Sequence, residues 1–238
     1  MIRADEIKKA VREHYVRSLS TGCCGGGSSC CATTVDEEDR PGADLEGLTG
    51  PSLGCGRPLG YAQLQPGEIV VDLGSGAGRE VLLAAREVGP AGRAIGIDMT
   101  PEMVWTAREN ANQTTVPNAE FRLGEIEHLP VPDAAADVVI SNCVINLVPD
   151  KSRAFAEAYR ILKPGGRLIV SDMVARGPLP GAMRENLTAW AGCVAGAVDV
   201  DEYLSVIERA GFRTPDVLTR TNAAPGQVFS ITLRAVKQ

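Results

Sequence analysis

From about residue 69 onward, apolar and polar positions alternate in blocks. Ile69 to Leu73 is a short apolar run that predicts a buried strand. Arg79 to Val88 has helical spacing and is ended by Gly89-Pro90. Ala94 to Ile97 predicts the next strand, closed by Asp98. Thr100 is a candidate N-cap, Pro101 suits a first helical turn and Glu102 favours the same end, so a helix runs to about Asn112. Ala119 to Leu123 and Ala136 to Ser141 read as the third and fourth strands. Lys151 to Leu162 reads as a helix stopped by Lys163-Pro164-Gly165-Gly166, and Arg167 to Ser171 as a fifth strand. This alternation predicts an α/β fold with a doubly wound, mainly parallel sheet.

The flanks follow other patterns. Ile7, Val11 and Tyr15 recur at four-residue steps, so residues 4 to 18 predict an amphipathic helix. Leu19 to about Gly60 is rich in Gly, Ser, Cys and Pro, and the run Gly22 to Cys31 has neither period, which predicts a loop. Ala182 to about Ala191 and Val200 to Ala210 read as helices, with Gly211 as the C′ residue of the second. Phe229, Ile231, Leu233 and Ala235 alternate with polar residues, as in a half-buried antiparallel strand. The chain divides accordingly into three parts. Residues 1–60 hold the N-terminal helix and the Gly/Cys-rich loop, 61–175 a Rossmann-like core, and 176–238 a helical segment and C-terminal strands that complete the sheet.

Composition narrows the classes. The 238 residues, 44% of them hydrophobic, suffice for one sizeable core and a small appendage. Net charge is −6 and no basic stripe occurs, so a nucleic-acid partner is not expected. No apolar run reaches the roughly 18 residues of a membrane helix. The N-terminus is charged and lacks the apolar region of a secretory signal, so a cytoplasmic location is expected. Seven cysteines in such a chain read as thiols, metal or metalloid ligands or redox groups before structural disulfides.

The candidate chemistry gathers at predicted strand ends. Asp72-Leu73-Gly74-Ser75-Gly76-Ala77-Gly78 joins a strand to a helix, the context in which glycines let a backbone approach a ligand. Asp98, followed by Met99, ends the second strand, where a carboxylate can accept both hydroxyl hydrogens of a ribose. Gly124-Glu125-Ile126-Glu127 follows the third strand, where Glu125, Ile126 or a backbone amide could read an adenine. The plainer alternatives are a tight turn without a ligand and a polar loop. Cys143 follows the fourth strand at the edge of the crevice, and Asn142 and Asn146 border the same crevice, either to orient a cofactor or ligand or as structural turn residues, while Cys55 and Cys193 flank the core. His14 and His128 share no motif and read as surface or hydrogen-bonding residues rather than catalysts, and Trp105 reads as packing rather than a cofactor lid.

These segments resemble the bacterial-type arsenite methyltransferases, a class I S-adenosylmethionine-dependent family. The resemblance runs from about residue 10 to 236. The glycine turn and Leu162-Lys163-Pro164-Gly165-Gly166-Arg167 are shared by many class I methyltransferases. More specific are Ser52-Leu53-Gly54-Cys55-Gly56, Ser141-Asn142-Cys143-Val144-Ile145-Asn146-Leu147, and Cys193 in its Gly/Ala-rich frame. The resemblance implies a seven-stranded sheet with an antiparallel C-terminal strand. It implies S-adenosylmethionine held by Asp72, Gly74, Ser75, Gly76, Gly78, Asp98, Met99, Gly124, Glu125, Ile126 and Asn142. It further implies trivalent arsenic, free or as a thiol conjugate, on Cys55, Cys143 and Cys193. Cys143 and Cys193 would keep methylated intermediates, Cys55 would leave or form a disulfide, and an external thiol such as thioredoxin or glutathione would act as reductant. Relative to larger members the chain stops soon after its last strand. Cys23, Cys24, Cys30 and Cys31 stay open between arsenic capture, redox disulfides, zinc and no role.

Three thiols suit the implied chemistry. Trivalent arsenic is soft and prefers thiolates. Three sulfurs satisfy its pyramidal coordination and leave a lone pair exposed. No proton has to be removed from it, so placement dominates over acid–base catalysis. Two other readings remain at this point: a class I methyltransferase acting on O, N or C, which would need a base near the methyl group, and a non-catalytic metalloid-binding module.

Overall fold

The computed structural model describes residues 2–21, 48, 54, 56–114, 116–221 and 227–238. Seven strands, β1 (Ile69–Leu73), β2 (Arg93–Asp98), β3 (Ala119–Leu123), β4 (Ala136–Asn142), β5 (Leu162–Ala175), β6 (Asp216–Arg220) and β7 (Val228–Val236), form one sheet. Its order is β3-β2-β1-β4-β5-β7-β6. β1 to β5 pair in parallel, and β7 runs antiparallel to both β5 and β6.

The central strands β1, β2, β4 and β5 are apolar on both faces because helices cover both. Val70, Val138, Ile140 and Ile169 pack with Leu82 and Val104 from α3 (Arg79–Val88) and α4 (Pro101–Gln113). Val71, Leu73, Val139, Leu168 and Val170 face the opposite way, against Phe155 of α5 (Lys151–Ile161) and Tyr203 and Ile207 of α8 (Val200–Arg209). The winding direction reverses between β1 and β4, and a crevice opens beyond their C-terminal ends, the usual ligand position of such sheets.

Several expectations need correction. The fifth strand is longer than Arg167 to Ser171. Gly165 donates to the Lys237 carbonyl and Lys237 donates to that of Gly166, so the Pro-Gly-Gly segment is paired rather than looped out. At the other end Asp172 and Met173 continue the ladder against Ile231 and Ser230. The helix expected over 182 to 191 is two short ones, α6 (Gly181–Arg184) and α7 (Leu187–Ala191), because the Asn186 side chain accepts from the Ala189 amide and starts a new cap. β6 carried no recognisable period: it is an edge strand with mostly exposed side chains, so it has no buried face to impose one. A short helix α2 (Pro58–Ala62) and a 3-10 turn, Ile145–Leu147, were also unforeseen. Trp105 is 67% exposed and donates to Glu109, so it is not a packing residue.

The N-terminal helix α1 (Ala4–Thr21) bears out its apolar stripe. Ile7 and Val11 are buried with Leu147, and Tyr15, Met99, Trp190 and Cys193 pack around them. Lys8 on the same helix reaches Glu125 at 2.8 Å and Glu127 at 2.9 Å. The helix therefore lies over the crevice instead of extending away from it. Among the described residues no helix is long and apolar enough to cross a membrane.

Candidate functional site

A cavity of about 190 Å³ opens at the switch point between β1 and β4. Asp72, Gly74, Ser75, Gly76, Asp98, Met99, Ile126 and Asn142 line it, eight of the positions expected from sequence. Gly78, Gly124 and Glu125 stand outside this lining. Gly78 begins α3 at φ +88°, and a Cβ there would lie 2.6 Å from the Phe121 ring. Gly124 donates to the Asp98 carbonyl, which ties the third strand end to the second. Glu125 is exposed and paired with Lys8.

The glycine turn is built by Asp98. One carboxylate oxygen accepts from the Gly76 amide at 3.0 Å and the other from the Thr100 amide at 2.9 Å. Thr100 is the N-cap residue as expected, yet its side chain makes no capping bond. Gly76 has φ +51°, and a Cβ there would meet nothing within 4 Å, so the backbone faces open cavity. Glu80, in the first turn of α3, was not foreseen. Its place two residues after the glycine turn, an acid at a helix N-terminus, was the available signal.

Three carboxylates thus meet at one wall: Asp72, Glu80 and Asp98. Burial pushes Asp72 well above the ordinary carboxylate range, and the charges of Glu80 and Asp98 push the same way. Burial raises Glu80 to about 7, opposed by the hydrogen bond from the Asn142 amide. Burial also raises Asp98, opposed by the Thr100 and Gly76 amides. Among the described residues none of the three is in an ion pair. Glu80 Oε2 is buried without a hydrogen-bond partner among the described residues. A low-dielectric wall holding this much uncompensated acid favours a cationic ligand. S-adenosylmethionine, with a sulfonium and an ammonium, fits that donor set.

Asn142 joins this wall to the cysteines. It accepts from the Gly56 amide at 3.2 Å and donates to the Gly56 carbonyl at 2.9 Å and to Glu80 at 2.6 Å. Gly54 and Gly56 are therefore held against the end of β4, and a Cβ at Gly54 would collide with the Asn142 amide. Cys55 itself, with Cys23, Cys24, Cys30 and Cys31, lies outside the described residues.

Cys143 and Cys193 do come together. Cys193 Sγ lies 3.6 Å from the Cys143 carbonyl oxygen, although 50 residues separate them. Cys143 is buried and its amide donates to the Ser171 carbonyl at 2.7 Å. Both residues adopt the left-handed conformation, with φ +61° and +60°, two of four non-glycine residues with positive φ among the described residues. Such a conformation costs an L-residue about 1–2 kcal/mol, and strain of this kind gathers at functional sites. Cys143 is in a disulfide and Cys193 carries a thiol, so the two are not bonded to each other.

A buried network supports this pair. Asp172 accepts from the Asn146 amide at 2.8 Å and from the Tyr203 hydroxyl at 2.7 Å, and burial pushes it up to about 6. Lys151 donates to the carbonyls of Asn146 and Val148 at 3.1 Å, and burial lowers it to about 8. Both histidines are exposed, as expected from sequence.

A family model described as a methyltransferase domain matches residues 64–211. An arsenite methyltransferase of Halobacterium salinarum is 44% identical over 230 residues, which cover 90% of this chain and 59% of that protein. The arsenite methyltransferase of Mus musculus is 33% identical over 231 residues, covering 91% and 60%. The chain thus spans about three-fifths of the length of these curated relatives. Among solved structures, an arsenic(III) S-adenosylmethionine methyltransferase from Chlamydomonas reinhardtii superimposes with a TM-score of 0.72 at 34% identity, covering 84% of this chain and 71% of that one. On fold, domain match and this coverage, the chain belongs to the arsenite methyltransferase family of methyltransferase-domain proteins.

Proposed function

We propose that this protein methylates trivalent arsenic, with S-adenosylmethionine as methyl donor and cysteine thiolates as the arsenic ligands. The convergence of Cys143 and Cys193 beside the acidic cavity carries the reading. The cofactor supplies an electrophilic methyl group on a cationic sulfur. Asp72 and Glu80 face its positive charge. Asp98 keeps spare lone pairs for ribose hydroxyls, because a carboxylate has about four acceptor sites and the two backbone amides occupy two. Gly74, Ser75 and Gly76 supply the close backbone, and Ile126 and Met99 the apolar contacts for the base. Asn142 positions Glu80.

Cys143, Cys193 and Cys55 hold the arsenic through soft sulfur ligation. The exposed arsenic lone pair is the nucleophile, so the site needs no general base, and the exposed positions of His14 and His128 agree with this. Methyl transfer to the lone pair leaves arsenic formally pentavalent, and two cysteine thiolates return it to the trivalent state by giving up two electrons and closing a disulfide, the oxidised state in which Cys143 stands. Each turnover therefore consumes an external thiol reductant, thioredoxin or glutathione, in the cytoplasm. The test is to incubate the protein with arsenite, S-adenosylmethionine and a dithiol and then separate the arsenic species. Methylated arsenic that vanishes when the cofactor is omitted supports the reading. Tight arsenite binding without methylation would favour a sequestering protein instead.

A further inference from the structure

We propose that Asn146 is a positioning residue that sets the spacing between the Cys143 and Cys193 sulfurs. This rests on the reading of those two cysteines as arsenic ligands. Asn146 follows Cys143 by three residues, in the 3-10 turn Ile145–Leu147, and it is fully buried. Its side-chain amide donates to the Cys193 carbonyl at 2.9 Å. Its own amide donates to Asp172, and its own carbonyl accepts from Lys151. One residue thus bolts the strand end that bears Cys143 to the turn that bears Cys193. Gly196, in the same turn, closes the contact: a Cβ there would collide with the Asn146 carbonyl.

The remaining atom argues that this side chain is kept for more than folding. Asn146 Oδ1 is buried and has no hydrogen-bond partner among the described residues. A buried acceptor without a donor is destabilising. An apolar side chain would avoid that cost, and the Cys193 carbonyl, on a half-buried residue, could turn to water. What the apolar side chain could not do is fix the Cys193 backbone relative to Cys143. Both cysteines sit in a left-handed conformation that relaxes when its restraints are removed. Chelation by two thiols depends on their being preset at the right separation, because a mobile second ligand loses effective concentration.

The test uses the full chain with Cys23, Cys24, Cys30, Cys31 and Cys55 replaced by serine, so that only Cys143 and Cys193 remain. Phenylarsine oxide, a trivalent arsenical with two exchangeable positions, is the probe, titrated calorimetrically under reducing conditions. Cys143→Ser and Cys193→Ser in this background must each abolish tight binding. If either still binds tightly, the reading of the two cysteines fails. Given that control, Asn146→Ala and Asn146→Ser are expected to bind the probe at least about tenfold more weakly. They are expected to keep affinity for S-adenosylhomocysteine within about threefold, and to melt no lower than the parent chain. Unchanged arsenical affinity in both Asn146 variants would overturn the positioning role. Equal losses of arsenical affinity, S-adenosylhomocysteine affinity and melting temperature would overturn it as well, since Asn146 would then be only a folding residue.

Discussion

Glu80→Gln separates the charge of the cavity wall from its shape. Glutamine keeps the oxygen that accepts from Asn142 and puts an NH2 group where Glu80 has an unpartnered oxygen. Only the ionisation is lost. Burial raises Glu80 from 4.5 to about 7. Below pH 4.5 both the folded and the unfolded chain hold the proton and the carboxylate brings no penalty. As pH rises from there to about 7, the unfolded chain releases the proton while the folded one retains it, so stability falls across this window. Above it the folded chain carries the full cost. At about 1.4 kcal/mol per pKa unit, the interval between 4.5 and about 7 corresponds to about 3 kcal/mol. The ligand-free glutamine variant should therefore melt about 6–12 °C above the parent at pH 8 and level with it at pH 4.5. S-adenosylmethionine should bind the variant more weakly at pH 8, because an anion facing its positive charge is gone. A melting difference that does not change between pH 4.5 and 8, or a variant less stable at pH 8, would refute the claim that the wall carries uncompensated acid.

Three further outcomes follow from the geometry. Gly78→Ala forces a side chain at φ +88° and 2.6 Å from the Phe121 ring, and it should cost about 2–4 kcal/mol, read from the urea midpoint. Tyr203→Phe removes one donor from Asp172, already raised by burial to about 6, so its folded-state pKa rises further. The loss, about 1–3 kcal/mol, should be full above the variant's raised pKa and fade as pH falls to about 6 and below, where both folded chains hold the proton, which a melting series over pH will show. Lys8→Ala breaks the two pairs that fasten α1 beside the cavity, and it should speed S-adenosylhomocysteine release in stopped flow, more so at low salt.

Where burial stamps a period on the chain, the fold was readable. β1 to β4 and α3 to α5 fall within a residue or so of their expected limits because each buries a face or stripe. β6 escaped because it has almost no buried side chains, and the extension of β5 escaped because its polar Asp172 is satisfied by tertiary partners no local pattern displays. At the site, the glycine turn, Asp98 and Cys143 were legible from their positions at strand ends. The stripe of Ile7 and Val11 was visible, but not the surface it covers. The roles of Glu80 and Asn146 were hidden for the same reason: each depends on partners more than 20 residues away.

In this reading Cys143 and Cys193 hold arsenic while the acidic cavity holds the methyl donor. The most direct measurement compares arsenite methylation by the reduced full chain with that of Cys143→Ser and Cys193→Ser, beside their affinities for S-adenosylhomocysteine. Each serine variant should lose at least about a thousandfold in methylation rate, about 4 kcal/mol of transition-state stabilisation, with cofactor affinity unchanged. A serine variant that still methylates arsenite at a comparable rate would contradict it.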